Sequence, residues 1–442
     1  MGMLWTNQGQ VKLLCVCNTI VIGAVLMSSQ TAHTLAVDFG TSNTAIGMLD
    51  GGAPRLLHAE PGNDTLPTTV FLDFNARGYV YGTPAIDALI GGEEGRFMRA
   101  LKSVLGSPLM REERQFMNER KRLLDIIAGY LAELKRRAEA EAGVQFDHVL
   151  SGRPVHFRGA GADRDAKAEA DLRECYELAG FSDVGFMTEP EAAARAALDA
   201  GDGKGAGLVV DIGGGTSDFS VFRYDGPEVE ILSTHGLKIG GTDFDRLLSL
   251  AHVMPRFGMG SMVRNLLGPG EHAMPNAIYV GLATWERIPF VYSPAALREV
   301  RDLRKLARAP EKLDLLEAVL EHELGHDVAF AVEAAKIQAN GSGQGAADLG
   351  EVKSGLAVPI SGSDLMIDLA ELTGELTVAA LQVVKDAGLT PAEIDRVIYV
   401  GGSSLMGVVR DPITAAFPAA KHEVRAAFTA IIAGLTRSLA GA

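Results

Sequence analysis

Cysteine is scarce. Only Cys15, Cys17 and Cys175 occur among 442 residues, with no CxxC pair, which excludes a disulfide framework or a cysteine zinc site and fits a reducing compartment. Basic residues are outnumbered, 41 against 56 acidic ones for a net charge of −15. The field of such a chain repels phosphate backbones, so nucleic acid is not expected as a partner. Long apolar runs are also lacking. The longest, Leu13 to Met27, is broken by Asn18 and Thr19 and falls short of the roughly 18 residues of a membrane span, so no stable span is expected. Behind Lys12 and ahead of Ser28–Ala32, residues 1–33 read as a weak secretory leader or as a mis-started segment. Everything recognisable begins at Thr34, which favours a cytoplasmic protein over an exported one. There is no Gly-Lys-Ser/Thr phosphate-loop ending either, and Gly201–Gly207 reads as a flexible connector.

What is present is ample apolar material, 47% against 22% charged residues, and a length that implies more than one domain. The pattern alternates strands and helices and predicts an α/β fold. Leu35–Leu49 reads as two strands around a polar turn with Asp38 near the end of the first, and Leu208–Phe222 repeats this around Asp211. A helix is expected over Arg111–Ala142, a strand over His148–Phe157, a helix over Asp163–Ala179 and a strand near Val184–Met187, after which Glu189-Pro190 opens another helix. A mostly helical stretch runs from Phe244 to Asn340. The last section has a helix near Ser363–Ala387, an apolar strand Val397–Val400 and the turn Gly401-Gly402-Ser403 into a further helix.

The duplicated turns carry the chemistry. In Asp38-Phe39-Gly40-Thr41-Ser42-Asn43, glycine lets the backbone approach a ligand closely, and the amides and hydroxyls can donate to phosphate oxygens. Asp211-Ile212-Gly213-Gly214-Gly215-Thr216-Ser217-Asp218 repeats the arrangement. Facing one another, the two turns would grip a β,γ-diphosphate. Asp38 and Asp211, aided by Glu189 and Asp218, would hold Mg²⁺ largely through its waters, as that slowly dehydrating ion prefers. Phosphoryl transfer needs mainly such positioning and charge neutralisation. Gly401, Gly402 and Ser403, between a strand and a helix, suit a nucleotide packed at a helix start.

With these elements the sequence resembles the actin, hexokinase and heat shock protein 70 superfamily, and in particular the ATPase domain of the heat shock protein 70 chaperones, from residue 34 to about 440. The residues carrying the likeness are Asp211–Asp218, Glu189-Pro190-Glu191-Ala192-Ala193-Ala194, Gly240-Gly241-Thr242-Asp243-Phe244-Asp245 and Val400-Gly401-Gly402-Ser403. Ser151-Gly152-Arg153-Pro154-Val155 is closer to the truncated YegD-like bacterial chaperone proteins.

The resemblance implies two duplicated actin-like, ribonuclease H-like lobes around a nucleotide cleft. Lobe I would span 34–200 with an outer subdomain at about 71–143, and lobe II 201–442 with one at about 241–347, without a substrate-binding domain. It makes Asp38, Asp211 and Glu189 the magnesium shell, Thr41, Ser42 and Thr216 phosphate donors, and Asp218 a partner of Asp211 in orienting water. Gly240 and Gly241 belong to the nucleotide-binding run. Adenosine would lie between Glu333 and Lys336 on one side and Gly401–Ser403 on the other, although Glu333 and Lys336 alone also read as a surface ion pair. The implied activity is slow Mg²⁺-dependent ATP hydrolysis in a chaperone-like protein, with ATP or ADP bound and protein clients or co-chaperones as unidentified partners. The alternatives are a nucleotide-gated scaffold and a small-molecule kinase.

Two departures stand out. The family's catalytic lysine falls at Ile86, with Arg99 or Lys102 as substitutes, and the family's adenine-flanking arginines appear as Ile337 and Leu405. Finally, His322-Glu323-Leu324-Gly325-His326 matches a zinc-protease pentapeptide, but Ala329 and Val332 occupy the places of a third histidine, so a pair of helix-surface histidines is expected instead.

Overall fold

The computed structural model describes residues 33–442 apart from 117–118, 158–161, 199–202, 227, 267, 425–429 and 442. The leader-like stretch Leu13–Met27 lies outside the described residues, as do 201 and 202 of the expected connector.

Two sheets share one strand order. The first runs Ala53–Leu57, Asn43–Asp50, His33–Phe39, Phe146–Arg153, Asp183–Thr188, and the second Glu228–Leu237, Ser217–Asp225, Lys204–Ile212, Arg396–Val400, Lys421–Val424. In each, the first three strands form an antiparallel meander and the last two are added parallel through helical crossovers. The internal duplication is thus a duplication of whole sheets. Asp38 and Asp211 hold equivalent places, each next to last in the central strand of its sheet. Each sheet carries an outer subdomain. The first has the small sheet of Thr69–Asp73, Gly78–Tyr81 and Gly95–Arg99, and the second has the helices from Gly241–Leu248 to Gly325–Ser342.

Three apolar clusters hold this frame. One fills the first lobe around Phe39, Tyr130, Phe146 and Tyr176, and one fills the second around Phe219, Phe244, Phe257 and Tyr399. The third joins them, with Ala36, Ala192, Ala193, Val209, Ile398 and Ile432 among its members. Helix Glu189–Ala197 is alanine-rich because helix Ala430–Ser438 lies directly on it, and a Cβ added at Gly434 would overlap the Ala192 carbonyl. Arg437 fastens the same contact by donating to the carbonyls of Ala196 and Leu198 at 3.0 Å each.

Two expectations are corrected. Lys204–Gly207 are not connector but the start of a central strand. Their glycines make room for rings of the neighbouring strand, since a Cβ at Gly207 would overlap Phe222 and one at Gly205 would stand 2.5 Å from the Tyr224 hydroxyl. The helix expected from Arg111 begins only at Leu123. Asp125 accepts from the Arg122 amide at 2.9 Å and closes that helix start, while Arg114–Phe116 and Glu119–Lys121 form a hairpin that buries Phe116.

Candidate functional site

The two acidic hairpins open onto one cleft of about 800 Å³ between the lobes. They stand close together, for a Cβ at Gly214 would lie 2.8 Å from Ser42 Oγ. Each turn is braced from behind. The Gly213 and Gly214 carbonyls accept from the amides of Gly241 and Thr242 at 3.0 and 2.8 Å, and the Thr242 hydroxyl adds a 2.8 Å bond to Gly214. In a trans peptide the N–H points opposite to the C=O, so the amides of Gly214 and Gly215 point away from helix Gly241–Leu248. The Ser42 carbonyl is likewise taken by Thr68 N at 2.8 Å, which turns the Asn43 amide the other way. At Gly40 a Cβ would overlap the Asn43 carbonyl, so that turn closes only on glycine.

Asp38, Gly40, Thr41, Ser42, Asn43, Glu189, Asp211, Gly213, Gly214, Gly215, Thr216, Asp218, Gly241, Glu333, Lys336, Gly401, Gly402 and Ser403 all line this cleft. Gly240 does not. It caps helix Gly241–Leu248 with its α-carbon packed on the Gly214–Gly215 backbone, so it supports the second turn from behind. Gly401 needs its glycine twice over. Its φ is +79°, and a Cβ there would stand 2.9 Å from Asp211 Oδ1.

Ile86 is on helix Thr83–Ile90 and does not line the cleft, whereas both Arg99 and Lys102 do. The Lys102 Nζ lies 2.5 Å from Glu189 Oε1, both side chains being nearly out of solvent. Burial by itself would lower the Lys102 ammonium, but Glu189 and Asp38 beside it outweigh that and hold its pKa above the usual lysine value. Several carboxyls stand around it. Withdrawal from water, with Glu189 adding to it, pushes Asp38 up to about 7 and Asp218 up to about 6. The same two causes raise Asp211 well above the carboxylate range. These carboxyls therefore resist ionising together until another positive charge joins them, which suits a hard divalent cation. Among the described residues, however, no three acidic, histidine or cysteine side chains converge closely enough to ligate a metal directly. The donor set fits Mg²⁺ held through its waters and a phosphate, not an all-protein cage.

At the cleft's other edge the sequence pointed to Lys336, Asp245 and Arg99 but not to their partners. Asp245 pairs with Lys336 at 2.7 Å, in a contact that is not aligned as a hydrogen bond. Burial, opposed by Lys336, raises the Asp245 carboxyl to about 6. Across the mouth, the Arg99 guanidinium of the first lobe lies 4.0 Å from the Trp285 ring centroid of the second. His326 and Phe330 meet the Trp285 ring edge-on at 4.6 and 5.1 Å. The zinc-like pentapeptide is not on one helix: His322 ends helix Pro310–Glu321, Glu323 has φ +55°, and helix Gly325–Ser342 starts afresh. His322 is exposed at the end of one helix and His326 packs on Trp285 from the next, so the two do not share a helix surface as expected.

Two like sheets with a phosphate-type hairpin each, closing on one cleft, define the actin-like ATPase fold. A family model described as Hsp70 protein matches residues 109–263, which include Glu189, the second hairpin and the Gly240–Asp245 run. The match supports an Hsp70-type ATPase domain with the nucleotide-binding cleft of the actin-like superfamily. Among the described residues no helix is long and apolar enough to cross a membrane.

Proposed function

We propose that this chain binds ATP with Mg²⁺ between its lobes and hydrolyses it slowly, as the nucleotide-driven part of a chaperone-like protein. The observation carrying the reading is that Ser42 and Gly214, from the two duplicated hairpins, stand side by side on one cleft with the Lys102–Glu189 pair on its floor. The amides and hydroxyls of Thr41, Ser42, Asn43, Gly214, Gly215 and Thr216 hold the β- and γ-phosphates from both sides. Lys102 supplies fixed positive charge where charge develops on the transferred phosphoryl group. Asp211 and Asp218, paired across their hairpin, orient the attacking water and receive its proton. Asp38, Asp211 and Glu189 would hold Mg²⁺ through water, and the ion would supply neutralisation of phosphate charge. Because donors come from both lobes, a γ-phosphate favours the shut cleft by differential contacts. The Lys102–Glu189 pair on the cleft floor favours hydrolysis over the nucleotide-gated scaffold, which ATP binding without phosphate release would support instead.

The test is Asp38→Asn and Asp211→Asn, assayed for phosphate release alongside circular dichroism. Loss of Mg²⁺-dependent turnover by at least ~10²-fold in each folded variant is expected, and unchanged turnover in both would end the assignment.

A further inference from the structure

Strand Phe146–Arg153 ends beside the cleft floor, for a Cβ at Gly152 would stand 3.6 Å from Asp38 Oδ1. The turn that follows, Pro154-Val155-His156-Phe157, lines the cleft on the first-lobe side. It is fastened at both ends. Arg153 folds back on it, donating to the Pro154 and Val155 carbonyls at 3.1 and 3.0 Å while pairing with Glu169 of helix Ala162–Leu178. From the same helix, Asp165 takes the Phe157 amide on Oδ1 at 2.6 Å and His156 Nδ1 on Oδ2 at 2.7 Å. A carboxylate only accepts, so the neutral imidazole carries its proton on Nδ1 and presents a lone pair at Nε2. The Asp165 side chain is 14% exposed and that of His156 68%, so a nearly enclosed carboxylate backs a ring that is open to water. Around this ring, His235 and Lys238 line the cleft from the second lobe. Burial and then Glu189 raise the Asp218 carboxyl, and a charge on His156 acts against them, which puts His156 within electrostatic reach of the second hairpin.

We propose that the proton given up by the attacking water leaves the cleft through His156, which accepts it on Nε2 while Asp165 holds the ring by Nδ1. The inference deepens the ATPase reading above and rests on it. As the water oxygen bonds to the γ-phosphorus, the bond from that phosphorus to the β,γ-bridging oxygen breaks and its electron pair stays with ADP. The water's proton passes by way of Asp218 to Nε2. The Asp165 carboxylate balances the imidazolium, and exchange with solvent resets the ring. A carboxylate behind an imidazole acts in this way wherever a histidine serves as a base, by fixing the tautomer and steadying the charged form. Imidazole is the side chain suited to passing protons near neutral pH, and the exposed ring gives the enclosed floor a route to water.

The experiment is phosphate release by the full chain at saturating Mg²⁺-ATP, with calorimetric ATP titration and circular dichroism of each variant. His156→Ala is expected to lose at least ~10²-fold in turnover while keeping its ATP affinity. Imidazole added to the buffer should restore turnover in proportion to its concentration, because the site is open. In Asp165→Asn the Phe157 N–H still requires the oxygen, so the amide NH₂ meets Nδ1, moves the ring proton to Nε2 and removes the acceptor. Turnover should fall at least ~10-fold for this wrong tautomer. The double variant should be no slower than His156→Ala, as for groups that act as a unit. Turnover within threefold of the parent in either single variant overturns the proposal and leaves the ATPase reading standing. A loss in His156→Ala that imidazole does not restore, or losses that multiply in the double variant, also overturns it. If the parent itself releases no phosphate, the ATPase reading falls and this inference with it.

Discussion

Ala100 is one of few non-glycine residues with positive φ, at +56°, a conformation that costs an L-residue about 1–2 kcal/mol. It stands between two cations of the cleft. Strand Gly95–Arg99 ends on the Arg99 that reaches Trp285, and the turn Leu101–Val104 then sends Lys102 to Glu189. The strained residue lets one short turn send two side chains to different partners, the kind of site where strain is retained. Lys102→Met is expected to cut phosphate release by at least ~10²-fold, as for loss of a preorganised charge in a closed site. Nucleotide binding should survive, since the hairpin donors remain. Single-turnover kinetics with an equilibrium titration separate the two effects, and turnover within threefold of the parent would remove Lys102 from the chemistry.

At the scale of elements, the helix pair Glu189–Ala197 and Ala430–Ser438 shows how packing holds a site residue. Glu189 begins a helix whose alanines admit the Gly434 backbone, so Lys102's partner is fixed by a contact made far along the chain. Gly434→Ala forces these helices apart and is expected to cost about 1–3 kcal/mol, read as a lower denaturation midpoint at constant slope. A Gly434→Ala midpoint equal to the parent's would mean that the contact is slack. The corner before helix Gly325–Ser342 gives a pH effect. Burial, then the nearby Arg99 charge, lowers His326 to about 4 from 6.5. The unfolded chain therefore takes up this proton near pH 6.5 and the folded one resists until about pH 4, so the stability tied to His326 is complete above that window and drains as pH falls through it. The loss is on the order of 2–3 kcal/mol by pH 4. His326→Gln should flatten that part of the urea-stability profile against pH, and an identical slope in the variant would contradict it.

For the whole molecule, the Arg99–Trp285 contact is a strap across the mouth of the cleft. A partly desolvated cation–π pair of this kind contributes roughly 1–2 kcal/mol. Arg99→Ala should therefore speed nucleotide release about 5- to 30-fold, measured by stopped flow with a fluorescent nucleotide. An unchanged release rate would show that the lobes separate without breaking this pair.

The fold class and most of the cleft were legible in the residues because both depend on local pattern. A carboxylate ending an apolar strand, a glycine turn with hydroxyl donors and a returning strand form a short-range unit, and its second copy implied a second sheet. Lys102 was legible only as one of two candidates beside Arg99, and the strap of Arg99 on Trp285 was not legible at all. Isolated side chains on turns and helices carry no periodic signal, and Trp285 is 186 positions from Arg99 in the numbering. The glycines of Gly201–Gly207 misled because the sequence reads the same for a loose connector as for a strand that must pass under Phe222 and Tyr224. Sequence alone therefore determined the repeated hairpins and their phosphate-seeking chemistry. Tertiary structure decided that Lys102 meets Glu189 beside them and that Arg99 and Trp285 cross the mouth of their cleft, because those contacts depend on distances through space between segments far apart along the chain.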